Sequence, residues 1–292
     1  MPIATYLPWN DRRGRFSWLR TVAFAAAVVP SVFIVSALIT GRYAAEPYGE
    51  ATLLTGEWTL YFLIASLAVT PLRRLLGWAR LVGIRRLLGL TAFAYLVGHF
   101  GLYIVDQGFD LAMVASEIAL RIYLTIGFVA LVGLSVLAAT SFDSAIRRLG
   151  TRWRRIHQAV YVLTPLGLLH YFMQSKADVS PAVLLSGIFI GLMLYRALDG
   201  VRARHGAAAA VLVVVPLAGV GAALVEYAWY ALGTNLPAWQ ILLSNVDFSY
   251  QIRPMWFAML ILALPLPVLL VQEILRRAGP GAPTGRPARV RG

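Results

Sequence analysis

The chain contains no cysteine. That excludes disulfides, thiolate-ligated zinc, iron–sulfur clusters and covalent haem attachment through Cys-x-x-Cys-His. Any metal must be held by His, Met, carboxylates or other oxygens. Charge is also scarce. Asp, Glu, Lys and Arg make up 13% of the residues, against roughly 25% in soluble domains. What is present instead is hydrocarbon: 59% of residues are hydrophobic and the mean hydropathy is +0.72. The apolar residues come in blocks of about 20, the length a helix needs to cross a bilayer core. Such blocks are too long and continuous for barrel strands. The fold class expected is therefore an all-α integral membrane protein, a bundle of about eight transmembrane helices.

The net charge of +13 does not point to nucleic acid. The positive residues sit in loops between apolar blocks, as they do in loops held on the cytoplasmic side of a membrane. The expected spans run approximately over 18–39, 57–74, 85–105, 121–140, 156–174, 180–198, 207–231 and 254–275. The first exceeds the roughly 7–15 apolar residues of a signal peptide, and the chain starts at Met1, so it is expected to be a span rather than a cleaved leader. With both termini in the cytoplasm, all of the 26 basic residues fall inside except Arg42, Arg121, Lys176 and Arg253. Of the 13 acidic residues, all but Asp11, Asp143, Asp199 and Glu273 fall outside. This asymmetry is the expectation for a multi-pass membrane protein with both termini in the cytoplasm. The expected units are a cytoplasmic N-terminus (1–17), a six-span core (18–198), two additional spans (199–275) and a disordered basic tail (276–292). No internal repeat stands out. The outer segment 232–253, with Trp239, Phe248 and Tyr250, suits the membrane interface, where aromatic rings are favoured.

The chemistry lies in four histidines. His205, beside Arg202 and Arg204, reads as a solvated loop residue. His99 lies deep in the third span, where an ionisable group is costly and usually functional. His170 lies in the fifth. Both spans run in the same direction. His99 is 13 residues beyond Arg86 and His170 is 15 beyond Arg155, depths of roughly 20 and 22 Å at 1.5 Å per residue. Two imidazoles at matched depth on neighbouring helices can ligate one haem iron from both faces. Gly98, Gly101 and Gly167 would let a flat macrocycle approach, although small residues pack membrane helices generally. His157 lies near the inner surface, where the third span offers Arg85 and Arg86 rather than a second histidine. It either binds a further cofactor or caps its helix. On a straight helix it would point about 140° away from His170, and Pro165 between them is expected to kink the helix. Gly219-Val220-Gly221-Ala222 lies inside an apolar span with no preceding strand, so it reads as helix packing, not a nucleotide loop. Glu226, a lone carboxylate near an outer helix end, reads as interfacial. The inner arginines read first as sites for anionic lipid.

Several stretches resemble the ferric reductase-like transmembrane family. They are Arg85-Arg86-Leu87-Leu88-Gly89-Leu90 followed by His99; Arg121-Ile122-Tyr123-Leu124-Thr125-Ile126-Gly127; Leu149-Gly150-Thr151-Arg152-Trp153-Arg154-Arg155-Ile156-His157; Tyr161; and His170-Tyr171. They cover roughly residues 55–175. Within that family the chain is most similar to the haem-binding membrane subunits of bacterial protein-methionine-sulfoxide reductase systems. The resemblance implies a b-type haem held by His99 and His170. It implies an inner cofactor site at His157, Arg85 and Arg86, with FMN as a further cofactor. It implies electrons arriving from the quinone pool or a cytoplasmic flavin reductase and leaving to a periplasmic molybdenum-containing catalytic subunit. On this reading the protein is the electron-transfer subunit and not the catalytic one. The chain departs from the short members in its two extra spans. It also lacks the NAD(P)H- and FAD-binding domain of ferric reductases and NADPH oxidases, which argues against unaided oxidation of NAD(P)H.

Two other readings stand beside this one. A transporter or channel would use His99 and His170 as polar lining, and prolines do interrupt several spans, at Pro30, Pro165, Pro216 and Pro265. A self-contained ferric reductase would need no protein partner.

Overall fold

Lipid offers no partner to a backbone N–H or C=O, so a chain this apolar must satisfy those groups within its own helices. The structure, a computed structural model, describes residues 7–10, 14–43, 45–175, 178–249 and 251–278, with side chains to Arg276. It places α1 at Trp18–Ile39, α2 at Pro47–Leu76, α3 at Val82–Asp106, α4 at Leu111–Leu120 and α5 at Ile122–Ala139. Next come α6 (Asp143–Leu149), α7 (Thr151–His157), α8 (Val160–Gln174), α9 (Ser180–Ala197) and α10 (Asp199–His205). Last are α11 (Ala207–Gly233), α12 (Ala238–Leu243), α13 (Pro254–Ala263) and α14 (Pro265–Ala278). The expected tail after Ala278, Tyr250 and parts of the N-terminal segment lie outside the described residues.

Seven helical segments among the described residues are long and apolar enough to cross a membrane: α1, α2, α3, α5, α9, α11 and the α13–α14 pair. The expected fifth span is the difference. It is divided at Gln158–Ala159 into α7 and α8, and α8 has only 15 residues, about 22 Å of helix. The break comes before Pro165, which lies inside α8. His157 and His170 therefore sit on separate helices, which removes the angular conflict that a single straight helix would pose.

The ends of α2 show how local sequence stops a helix. Pro47 occupies the first turn, where its missing N–H costs nothing. Arg73 and Arg74 lie in the last turn, facing the negative end of the helix dipole, and Gly77 follows with φ +68°, the left-handed cap that glycine adopts without strain. The helix thus begins ten residues earlier than hydropathy predicts. Its first turns carry Glu50, Thr52, Thr55 and Glu57, polar enough to hide a span from hydropathy.

Two apolar clusters share α2. One joins it to α8, α9, α11, α13 and α14 through residues such as Leu67, Leu168, Leu185 and Val214. The other joins it to α1, α3, α5 and α8 through Ala27, Phe62, Ala92 and Leu134. Small residues bring the helices close. A Cβ on Gly187 would lie 2.7 Å from Ala222 of α11 and 2.9 Å from Ala258 of α13. Gly219 of α11 abuts Met259, and Gly221 would place a Cβ 3.1 Å from Ile190. That glycine pair does pack helices, as expected. Residues expected on the same side pair with one another: Arg86 with Asp143 at 2.6 Å and Arg74 with Asp199 at 3.3 Å.

Candidate haem site

α2, α3, α5 and α8 enclose an apolar cleft of about 1070 Å³ including its open mouth, with Ile118 of α4 along its wall. His99 and His170 face each other across it. Their ring centroids are 6.2 Å apart and the ring planes stand at 84°, so the rings are not stacked on each other.

Each ring is anchored in the same way. His99 Nδ1 donates to the Thr52 carbonyl of α2 at 2.7 Å, and His170 Nδ1 donates to the Tyr123 carbonyl of α5 at 2.8 Å. A helix carbonyl is normally crowded by the side chain four residues on. Here those residues are Gly56 and Gly127. A Cβ at Gly56 would lie 3.0 Å from His99 Nδ1, and one at Gly127 would lie 2.8 Å from His170 Nδ1. Glycine is needed at both positions because the imidazole occupies the space of the missing side chain. Thr52 to Tyr123, Gly56 to Gly127 and His99 to His170 are each 71 residues apart. The α2–α3 pair is thus repeated as the α5–α8 pair, a repeat that does not stand out in the sequence.

Because each Nδ1 is committed as a donor, each Nε2 carries the lone pair, and no described residue engages it. This is the carbonyl–imidazole arrangement that fixes the tautomer and aim of a metal-ligating histidine. An imidazole nitrogen lies about 2 Å from a bound first-row metal. The ring centre lies roughly 1 Å further back, given bond lengths of about 1.3–1.5 Å. Two imidazoles on opposite sides of one ion therefore have centroids about 6 Å apart, as these do. Among the described residues no group of three or more His, Cys, Asp or Glu side chains comes together. Two ligands do not complete a metal's coordination, and a macrocycle is one donor that can supply the rest. The chemistry of the donor set fits haem.

His157 is different. Its Nδ1 contacts the Trp153 carbonyl at 3.2 Å, its Nε2 contacts Ser141 Oγ at 3.3 Å, and the Trp153 ring stacks on it at 4.0 Å between centroids. It lies in α7, ahead of α8. Burial lowers its pKa below the ordinary histidine value; the Trp153 carbonyl opposes this, and the charge of Arg85 adds to it. Arg85 is therefore near His157, while Arg86 is engaged by Asp143 of α6. His205 is exposed at the end of α10, the solvated position expected of it.

The model of the family described as "Ferric reductase like transmembrane component" matches residues 55–168. A protein of Rhodospirillum rubrum named "Protein-methionine-sulfoxide reductase heme-binding subunit MsrQ" is 40% identical over 198 residues, which cover 67% of this chain and 93% of the relative. The protein of that name in Ralstonia nicotianae is 41% identical, covering 65% and 90%, and that of Deinococcus radiodurans is 38% identical, covering 62% and 90%. The chain belongs to the MsrQ family. No solved structure matches it. Nearly the whole length of these MsrQ relatives is matched, while about a third of this chain is left over.

Within this MsrQ fold, sequence reasoning selects the two facing histidines but misses their supports. A Cβ at Gly98 or at Gly101 would meet nothing within 4 Å, and neither glycine plays a part in the cleft, while Gly167 lines it beside Leu60. The signal that finds the true pair is a glycine repeated at the 71-residue offset of the histidines. Glu226 also differs from expectation. It is not a lone carboxylate: it is 1% exposed and pairs with Arg253 while accepting a weak hydrogen bond from Asn245 at 3.4 Å. Glu57, at the edge of the second expected span, lies well inside α2 and on the cleft wall.

Proposed function

We propose that the protein holds a b-type haem between His99 and His170 and conducts electrons across the bacterial inner membrane. Their donors are the quinone pool or a cytoplasmic flavin reductase. Their destination is a periplasmic, molybdenum-containing methionine sulfoxide reductase subunit, which performs the catalysis. The observation that carries this reading is the facing pair of imidazoles, each locked by a helix carbonyl and separated by the span of one metal ion.

Haem, when bound, supplies one-electron exchange at its iron. The chain supplies the rest. Thr52 and Tyr123 hold the imidazoles in one tautomer and one orientation. Leu60, Leu63, Leu96, Leu131 and Leu134 line the cleft and keep water from it, so polar reorganisation on electron arrival is small. His157, Arg85 and Arg86 form the inner cofactor site in this scheme. The arginines suit the phosphate of FMN or the propionates of a second haem, since guanidinium groups pair with such anions. Both termini face the cytoplasm, which puts the basic end of the bundle inside and His99 nearer the outer surface.

An optical spectrum of the detergent-purified protein before and after dithionite tests the assignment. A sharp b-type difference spectrum is expected, lost in His99→Ala and in His170→Ala and kept in His205→Ala. Full retention of the spectrum in both single variants would overturn it.

A further inference from the structure

The cleft wall is not uniform. Where α2 meets α8, Tyr171 Oη donates to Glu57 Oε1 at 2.6 Å. The 71-residue offset carries Glu57 onto Phe128 and Tyr171 onto Phe100. Those two rings also meet, with centroids 6.2 Å apart. The same pair of helix positions is thus filled by two phenyl rings in one half of the site and by a carboxyl and a phenol in the other. Packing alone is satisfied by hydrocarbon there, so it does not account for the polar pair. An ionisable side chain within a membrane is costly to place and is kept where it has a function.

No cation offsets Glu57 among the described residues. The described ion pairs engage Asp199, Asp143, Glu117, Glu226 and Glu273. Tyr61, on its own helix, and Tyr171 are close enough to interact with Glu57. Asp178 acts on Tyr171 from beyond. All of these are neutral or acidic. Glu57 also lines the same cleft as both histidines.

We propose that Glu57, held by Tyr171, sets the redox poise of the site by favouring the oxidised state of the group bound between His99 and His170. This rests on the haem-binding reading above. The redox step is one electron added to ferric iron to give ferrous iron, with no bond made or broken. In an apolar cleft, adding that electron beside an uncompensated carboxylate is disfavoured, because charges interact strongly at low dielectric.

The test is a spectroelectrochemical titration of the purified haem-loaded protein, its Glu57→Gln variant and its Tyr171→Phe variant. Glutamine keeps the shape and an acceptor for Tyr171 but removes the charge. Glu57→Gln is expected to favour reduction about tenfold, an upward shift of about 59 mV for a one-electron couple. Tyr171→Phe leaves the charge and removes its donor, and is expected to shift the midpoint downward. An unmoved or lowered midpoint in Glu57→Gln overturns the proposal. Should that variant fail to hold haem, Tyr171→Phe decides: a lowered midpoint supports the proposal, and an unmoved or raised one overturns it. A wild-type protein without a haem spectrum overturns both this and the haem-binding reading. A normal spectrum with an unmoved midpoint overturns this alone.

Discussion

Gly56 and Gly127 are the residues on which the site depends most heavily after the histidines themselves. A methyl group at Gly127 would meet His170 Nδ1 at 2.8 Å and Cε1 at 2.9 Å, and one at Gly56 would meet His99 at 3.0 Å. Neither ring can yield without giving up its carbonyl. Gly127→Ala is therefore expected to lose most of the haem absorbance, and Gly56→Ala somewhat less. Gly98→Ala and Gly101→Ala, which point into open space, are expected to retain it. The reduced-minus-oxidised spectrum of the four variants checks this, and haem loss in Gly98→Ala with retention in Gly127→Ala would reverse the assignment. Phe109 is a residue-scale cost of another kind. It has φ +63°, a left-handed conformation worth about 1–2 kcal/mol of strain for an ordinary residue, and 68% of it is exposed. Phe109→Asn, whose short amide tolerates that conformation, is expected to raise the thermal midpoint by a few degrees.

At the scale of elements, the additional C-terminal helices are held to the core by packing and to one another by charge. Gly187 and Gly191 of α9 admit Ala222, Ala258 and Leu262. Toward the C-terminal end of α11, Glu226 and Arg253, just before α13, form a buried pair, and Trp256 Nε1 donates to the Asn245 carbonyl at 2.7 Å. Removing one partner of a buried ion pair strands the other and costs about 3–5 kcal/mol, whereas replacing both by apolar groups costs far less. Arg253→Met is expected to lower the thermal midpoint clearly, and Arg253→Met with Glu226→Leu to recover most of the loss. Haem content is expected to stay normal in both, because the pair lies on helices that do not line the cleft. Equal losses in the single and double variants would show that the pair contributes no coupling.

At the scale of the whole molecule, the distribution of charge predicts the orientation. Arg86–Asp143 and Arg74–Asp199 each join residues that the alternation assigns to the same side. The absence of native cysteine makes the orientation directly measurable. In intact cells, a membrane-impermeant maleimide is expected to label Asp247→Cys. It is expected to label Arg204→Cys only after the membrane is opened. The reverse pattern would invert the bundle, and with it the proposed direction of electron flow.

The membrane class, the approximate spans and the pairing of His99 with His170 are all legible in the order of the amino acids. Each follows from quantities that are additive along a chain: transfer energy per residue, charge per loop and rise per helical residue. Four outcomes needed the packed bundle: which glycines support the histidines, that His157 stands on a helix of its own, that Glu57 belongs to the cleft and that Glu226 is buried against Arg253. Those outcomes depend on which faces of which helices meet. The polar turns of a helix look the same in sequence whether they meet water or line an internal cleft. Glu57 falls at the edge of its expected span for that reason: hydropathy counts the polar turns of α2 as solvent, when they are the wall of the site.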